Sequence, residues 1–402
     1  MSDALEGITI ADFSQMMQGP WGTMALADMG ADVIKIEPLG GEYERHLRVA
    51  GEMYEGKSPY YLAMNRNKRS VAVDLKDDRG KAVARDIVAD ADVVVENFRP
   101  GVMEKLGFGY EDVCEYNPDV VYASGSGYGS SGPYETRPGQ DLLIQAMSGL
   151  MDATGRRDDP PTAAGTFVAD QLSALFIALH VVIALYHREQ TGQGQKIEAS
   201  LLNSMIAGMC QEVAATTNLD REFERPESSL SHVQFDAPYG VYETADGHVA
   251  ISLGDLDDFA DALAVEGLET DDSPEAAYER RDEIHGIIER VTRERETDAL
   301  LDQLLEADIW AAPVNDMAAM IDDPQVRHND MIIEIEDPDV GSFQTTGFPV
   351  DMSETPASVE RPPPRVGEHT RDVLTELGYD ADVIEELVGD DVLEAFEAES
   401  HT

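Results

Sequence analysis

Residues 1 to 125 alternate short apolar runs with stretches of helical period, and the apolar runs lack the in-out alternation of a half-exposed sheet. GITIADF reads as a strand, Pro20 to Met29 as a helix, and ADVIKIEP as a strand that ends in the turn Pro38-Leu39-Gly40-Gly41. SVAVDL follows as a strand, Lys76 to Ala89 as a helix, ADVVVENF as a strand, Gly101 to Leu106 as a short helix, and DVVYASGSG as a strand. Strands that are apolar throughout and separated by helices indicate a parallel sheet covered on both faces. The expected fold class is α/β, doubly wound.

From Asp141 to about Ala215 the pattern is mainly helical. Its longest element begins near Asp170 and closes at Thr191-Gly192, where His187 and Arg188 complement the helix dipole and Gly192 suits a left-handed cap. Asn218 to Asp236 is polar, with Pro226 and a serine pair, and reads as a linker. PYGVYETADGHVAISL reads as a hairpin around Asp246-Gly247, and acidic helices continue to about Ile309, which makes a smaller α+β domain. Pro356 to Pro364 is a connector to two terminal helices, Thr370 to Leu377 and Ala381 to Ala398, expected to return to the first domain. The division expected is 1–215 for the first part of a large domain, 216–335 for linker and small domain, and 336–402 for the returning segment.

With 402 residues, 42% of them hydrophobic, the chain can bury two cores, and disorder is excluded. Its 29 Lys and Arg stand against 80 Asp and Glu, a net charge of -51. Such a surface cannot neutralise phosphates along a nucleic acid, and an anionic membrane would repel it. Self-repulsion of this size calls for a strongly screening solvent, which points to the cytoplasm of a halophile. Cys114 and Cys210 have neither disulfide-framework nor zinc-site spacing. MSDALEGITI has no basic or apolar signal region, so a cytoplasmic location is expected. Leu172 to Tyr186 is the most apolar stretch, but it is shorter than the roughly 18 to 20 residues a bilayer needs and reads as a buried helix.

Gly127-Tyr128-Gly129-Ser130-Ser131-Gly132 matches GxGxxG formally. It follows a late strand, and Pro133 stands where a helix should open, so it reads as a loop and not as a dinucleotide fingerprint. Asn65-Arg66-Asn67-Lys68-Arg69-Ser70 gathers three cations within four positions just before a strand. It is either a solvated surface cluster or a pocket for a phosphorylated ligand. Asn97-Phe98-Arg99-Pro100-Gly101 lies at the carboxyl end of a strand, where ligands of open α/β sheets bind. Asp170 opens an apolar helix, where the dipole favours a carboxylate; it reads as an N-cap or as a nucleophile.

The blocks LEGITIADFSQMMQGP, LADMGADVIKIEP, NRNKRSVAVDL, ADVVVENFRPGVMEKLGFGYEDV, SGYGSSGP, Gly165 to Asp170 and TGQGQKIEASLLNSM together resemble the class III CoA-transferases of the CaiB-BaiF family, over nearly the whole chain. That family includes formyl-CoA transferase and α-methylacyl-CoA racemase. The resemblance implies a Rossmann-like large domain completed by the C-terminal segment, a small domain, and an interlaced homodimer. It places the nucleophile at Asp170, an acidic neighbour of the reacting acyl group at Asp141, and coenzyme A contacts at Met17, Gln18, Asn65, Lys68, Asn97, Phe98, Arg99 and Lys105. Coenzyme A thioesters and a small carboxylic acid would be substrates, with no tightly bound cofactor and no metal.

Gln140 stands where the family's racemases carry histidine, and an amide does not exchange protons at neutral pH, so transfer is favoured over racemisation. The alternatives are a racemase or isomerase of the family and an acidic, non-catalytic CoA-binding protein. Met17 stands where the oxalate-using relative has glutamine, which leaves room for a longer skeleton. Family members acting on C4 and C5 dicarboxylates suggest succinyl-CoA as donor and mesaconate, citramalate or malate as acceptor. Arg45, His46 and Arg48, after the Gly40-Gly41 turn, are the cations expected to meet a second carboxylate.

Overall fold

The structure is a computed structural model, and it describes residues 3–268 and 274–397. The chain divides into two compact units, the larger formed by residues 1–144, 168–205 and 324–402 and the smaller by residues 145–167 and 206–323.

The larger unit is built on a seven-stranded sheet. Its strands are β1 (Thr9–Asp12), β2 (Asp32–Glu37), β3 (Lys68–Val73), β4 (Val93–Glu96), β5 (Val121–Ser126), β6 (Gln195–Ser200) and β12 (Leu393–Glu394). Their order is β12-β3-β2-β1-β4-β5-β6, with every pair parallel except β12 against β3. The six parallel strands thus have the order of the dinucleotide-binding α/β fold, 3-2-1-4-5-6.

Successive strand residues feed opposite cores, as the period of two requires. Ile10, Val33, Val93 and Val121 pack beneath the helices Gln18–Ala27 and Val168–Thr191. Ala11, Ile34, Val94 and Tyr122 pack on the other face, with the helices Asp78–Asp90, Thr370–Glu376 and Ala381–Gly389. The helix Asp78–Asp90 shows why such elements form. Asp77 caps it by accepting from the Arg79 N–H at 2.8 Å, and Gly80, Val83, Ala84, Ile87 and Val88 make one buried stripe.

Several elements differ from the sequence reading. β6 falls inside the stretch expected to be helical, because QKIEAS is an edge strand with polar, part-exposed alternate positions. The second terminal helix ends at Gly389, where Asp391 takes a left-handed φ of 56° and turns Leu393–Glu394 onto the sheet edge; Ala398 lies outside the described residues. A hairpin of β10 (Ile332–Asp337) and β11 (Gly341–Thr346) was not anticipated.

The apolar stretch Leu172 to Tyr186, read as a buried helix, lies within a helix of 24 residues, Val168–Thr191, long and apolar enough to cross a membrane by length and composition. It buries Ala169, Ser173, Ala174, Ile177, Val181 and Ala184, but Leu175, Leu179, Ile183 and Tyr186 are exposed, each by half or more.

The smaller unit has an antiparallel sheet of β7 (Gly240–Glu243), β8 (His248–Ile251) and β9 (Ala311–Pro313), the first two forming the expected hairpin. Tyr242, Val249, Phe259, Ile284, Ile288 and Leu300 make its core. The segment read as a linker is part of this unit: Leu230 enters the core, and Asp282 Oδ1 accepts from the Ser228 N–H and hydroxyl at 2.9 and 2.7 Å.

Candidate active site

In a sheet of this order the chain leaves β1 and β4 in opposite directions, which opens a crevice at their carboxyl ends. Met17 and Gln18 follow β1, and Asn97, Phe98 and Arg99 follow β4. Asn97 ties the two loops together by donating from Nδ2 to the Gln15 carbonyl and accepting at Oδ1 from the Gln15 N–H, both at 2.8 Å. Met16 sits in the left-handed region at φ 63°, an unfavourable conformation for a side-chain-bearing residue and one that clusters at functional sites. Arg99 and Lys105 are exposed at this end of the sheet.

Two buried lysines hold the ends of the loop after β1. Lys35 Nζ donates to the Ser14 carbonyl at 2.9 Å, and Lys68 Nζ donates to the Pro20 carbonyl at 2.9 Å. Lys68 also meets Asp12 Oδ2 at 3.1 Å and Asn65 Oδ1 at 3.0 Å, while Asp12 accepts from the Ser14 and Thr23 hydroxyls. Burial would raise the Asp12 pKa, but the charges of Lys68 and Lys35 outweigh it and hold the carboxyl below its usual range. Burial, with Lys35 nearby, brings Lys68 down to about 8.

The basic cluster is therefore not an open phosphate pocket. β3 begins at Lys68, two residues earlier than read, so the cluster lies at the amino end of a parallel strand, away from the carboxyl ends where ligands bind. Asn65, Arg66, Asn67, Lys68 and Arg69 are all buried. Arg66 forks onto Asp28 and donates to the Thr346 carbonyl, and Arg69 pairs with Asp32 and Glu376. Asn65 and Lys68, expected as coenzyme contacts, are instead engaged inside the fold, Asn65 with the Tyr61 carbonyl and Lys68 with Asn65, Asp12 and the Pro20 carbonyl.

The cations after the Gly40-Gly41 turn do not converge on a ligand either. Arg45 forks onto Glu37, with Nη2 2.6 Å from Oε1 and Nε 2.7 Å from Oε2, donates to the Pro364 carbonyl, and stacks on Tyr61. This is a correction to its reading as a substrate cation: its donors are engaged inside the fold. His46 faces the Gly40 carbonyl, and Arg48 reaches the Gly51 carbonyl; both are exposed or nearly so.

The crossover helix to β6 starts at the carboxyl end of the sheet, because it must return to the amino end before a parallel strand can begin. Asp170 is in its first turn. The capping role expected of Asp170 belongs to Asp141, whose Oδ1 accepts from the Ala169 and Asp170 N–H groups at 2.7 and 3.3 Å. Two carboxylates thereby share one helix end. Burial, and then the charge of Asp141, push the Asp170 pKa up to about 7.

Gln140, just before Asp141, is exposed. Tyr60, which the sequence reading passed over, lies in the field of Asp170, Glu44 and Asp141; burial and these charges raise its pKa, so the phenol stays protonated. Its only sequence signal is Ser58-Pro59, a cap and first-turn proline opening the short helix Pro59–Leu62. The GxGxxG-like loop follows β5 and opens no helix; a Cβ at Gly127 would lie 2.5 Å from the Gly139 Cα, so its two ends meet just before Gln140.

Coupled carboxylates at the ligand-binding end of a Rossmann-type sheet define an α/β site suited to carboxylate chemistry. The model of CoA-transferase family III matches residues 5–370, and the chain belongs to that family: it is a class III CoA-transferase. A succinyl-CoA:mesaconate CoA-transferase of Haloarcula marismortui is 35% identical over 94% of this chain and 97% of its own. A succinyl-CoA:glutarate CoA-transferase of Homo sapiens is 34% identical over 98% and 90%. The crystal structure of a CAIB/BAIF family protein from Brucella suis superposes with a TM-score of 0.81, at 30% identity over 94% of this chain and 100% of that one.

Proposed function

We propose that this enzyme moves coenzyme A from succinyl-CoA to a C4 or C5 dicarboxylate such as mesaconate, citramalate or malate, through an aspartyl-CoA thioester on Asp170. The observation that carries the reading is the half-buried Asp170 carboxylate, held at a helix end beside Asp141 with a pKa near 7. Relatives named for mesaconate, glutarate and D-citramalate, all with succinyl-CoA, support the donor and the acceptor class.

The ionised Asp170 attacks the thioester carbonyl; the C–S bond breaks, CoA leaves as thiolate, and a succinyl-aspartyl anhydride remains. The thiolate attacks the aspartyl carbonyl, releasing succinate and leaving aspartyl-CoA. The acceptor carboxylate then displaces the thiolate to form a second anhydride, and the thiolate attacks its acceptor carbonyl, regenerating Asp170. One thioester replaces another of similar energy. The phosphates of the coenzyme would meet Arg99 and Lys105, and its chain the loops at Met17 and Phe98.

The working form is a homodimer in which a second copy covers the outward stripe of Leu175, Leu179, Ile183 and Tyr186. So large an apolar stripe on so acidic a chain calls for a cover.

The test is incubation with succinyl-CoA and hydroxylamine, followed by peptide mass analysis. Asp170 should become a hydroxamate, and Asp170→Ala should abolish transfer while still binding CoA. Modification of another carboxylate, with Asp170→Ala active, overturns the mechanism; preference for a monocarboxylate over a dicarboxylate of equal length overturns the acceptor class.

A further inference from the structure

The helix that carries Asp170 is tied to the helix Gln18–Ala27, which follows the loop after β1, through a buried amide. Gln18 is 4% exposed, and its Nε2 donates to Ser173 Oγ, itself fully buried, at 2.7 Å. Ser173 lies three residues beyond Asp170, on the neighbouring position one turn along the helix. The other end of the amide rests on β5: a Cβ at Gly125 would come within 2.7 Å of Gln18 Oε1 and 3.1 Å of the Asn97 Cβ. One turn further along, a Cβ at Gly22 would come within 2.9 Å of the Ala174 carbonyl, so the two helices touch backbone to backbone. Sliding either helix along the other breaks the Gln18 bond and strands a buried amide N–H without a partner, which is unfavourable.

We propose that Gly125, Gln18 and Ser173 form a register lock that sets the position of Asp170 against the crevice, with Gly125 and Ser173 as positioning residues of the transfer reaction. The proposal rests on Asp170 as the nucleophile. Gln18, buried between two helices, then acts on the reaction through Asp170 more than through the coenzyme. Its chemistry fits this role: one donor faces the serine, and the carbonyl side lies over the only residue type that leaves it room.

The experiment compares kcat, KM for succinyl-CoA and melting temperature in Ser173→Ala, Gln18→Met and the double variant Gln18→Met/Ser173→Ala. A misplaced nucleophile loses rate steeply, so kcat should fall on the order of 10- to 100-fold in each single variant, with KM changed less than about twofold. The double variant replaces both polar partners by apolar groups, which removes the unsatisfied amide and should restore the melting temperature. A register lock predicts that its kcat stays low even so. Recovery of kcat together with stability would show the pair to be structural only and overturn the proposal, as would a raised KM at unchanged kcat.

Gly125→Ala should lower kcat in the wild-type background and add little in Gln18→Ala, where the obstructing side chain is gone; equal losses in both backgrounds also overturn it. Asp170→Ala is run alongside: if it keeps its activity, the nucleophile assignment has failed, independently of the lock.

Discussion

The coupling of Asp141 to Asp170 should be visible in the pH dependence of transfer. In the proposed mechanism Asp170 attacks as an anion, and burial followed by the Asp141 charge raises its pKa from 3.8 to about 7, so kcat/KM should rise with pH along an acidic limb near 7. Asp141→Asn removes the like charge yet keeps the side-chain oxygen that accepts from Ala169 at 2.7 Å, so the helix stays capped. Burial, the larger cause, remains, so the limb should fall by about one unit, which is about 1.4 kcal/mol. At pH 5.5 that raises the ionised fraction from roughly 3% to roughly 24%, an increase of about eightfold in kcat/KM relative to the plateau. The coenzyme's own phosphate titrates near 6, but identically with both enzymes, so the displacement between the two limbs belongs to the protein.

The stability arm has the opposite sign. An acid whose folded pKa is raised binds its proton better when folded, so its contribution is full below about pH 4 and lost as pH rises through about 7. Asp170→Asn should match wild type at pH 4 and exceed it at pH 8 by a few kcal/mol in urea unfolding. Coincident limbs in Asp141→Asn and wild type would refute the like-charge account; a wild-type limb below pH 5 would refute the burial account.

Other expectations follow from the same geometry. Arg66→Met leaves Asp28 buried without its fork and should cost about 3–5 kcal/mol by urea unfolding, a loss that Asp28→Asn in the same chain partly restores; a change below 1 kcal/mol would contradict the pairing. Stability should rise from low to molar KCl, because a charge of -51 repels itself, and a melting temperature flat across that range would count against it. With amide at Gln140, a 2-methylacyl-CoA in deuterated water should gain negligible α-deuterium, and rapid exchange would argue for racemase activity.

The parallel sheet was legible because its central strands are apolar on both faces: Ile10 and Ala11, or Val93 and Val94, need no partner to declare themselves. β6 and β12 were not, since an edge strand with polar alternate positions and a two-residue strand carry too little apolar signal to outweigh neighbouring helical periods. The site followed the same line. Asn97 was legible at the carboxyl end of a strand because strand ends predict where loops gather, whereas Gln18 was named only through the family resemblance. The basic cluster was not legible, because one dimension does not show that Asp28, Asp32, Asp12 and Glu376 lie opposite it. Asp141 as the cap of the Asp170 helix was hidden for the same reason: the residues are 28 and 29 positions from their acceptor.

This distribution of cations has a consequence for an acidic enzyme with an anionic substrate. Exposed charges more than a Debye length apart, about 3 Å at molar salt, barely interact, whereas buried pairs are screened far less. Lys35, Lys68, Arg45 and Arg66 meet their carboxylates away from solvent, so the loop after β1 keeps its anchors at ionic strengths that erase surface ion pairs. Arg99 and Lys105, the proposed partners of the coenzyme's phosphates, stand on the surface, where screening would weaken such an attraction but relieves the repulsion among the chain's many carboxylates. With 80 acidic residues against 29 basic ones, relief is the larger effect, and the architecture separates what the proposed mechanism needs to be independent of salt, the placement of Asp170 and of the loop after β1, from what salt would assist, the approach of the anionic coenzyme.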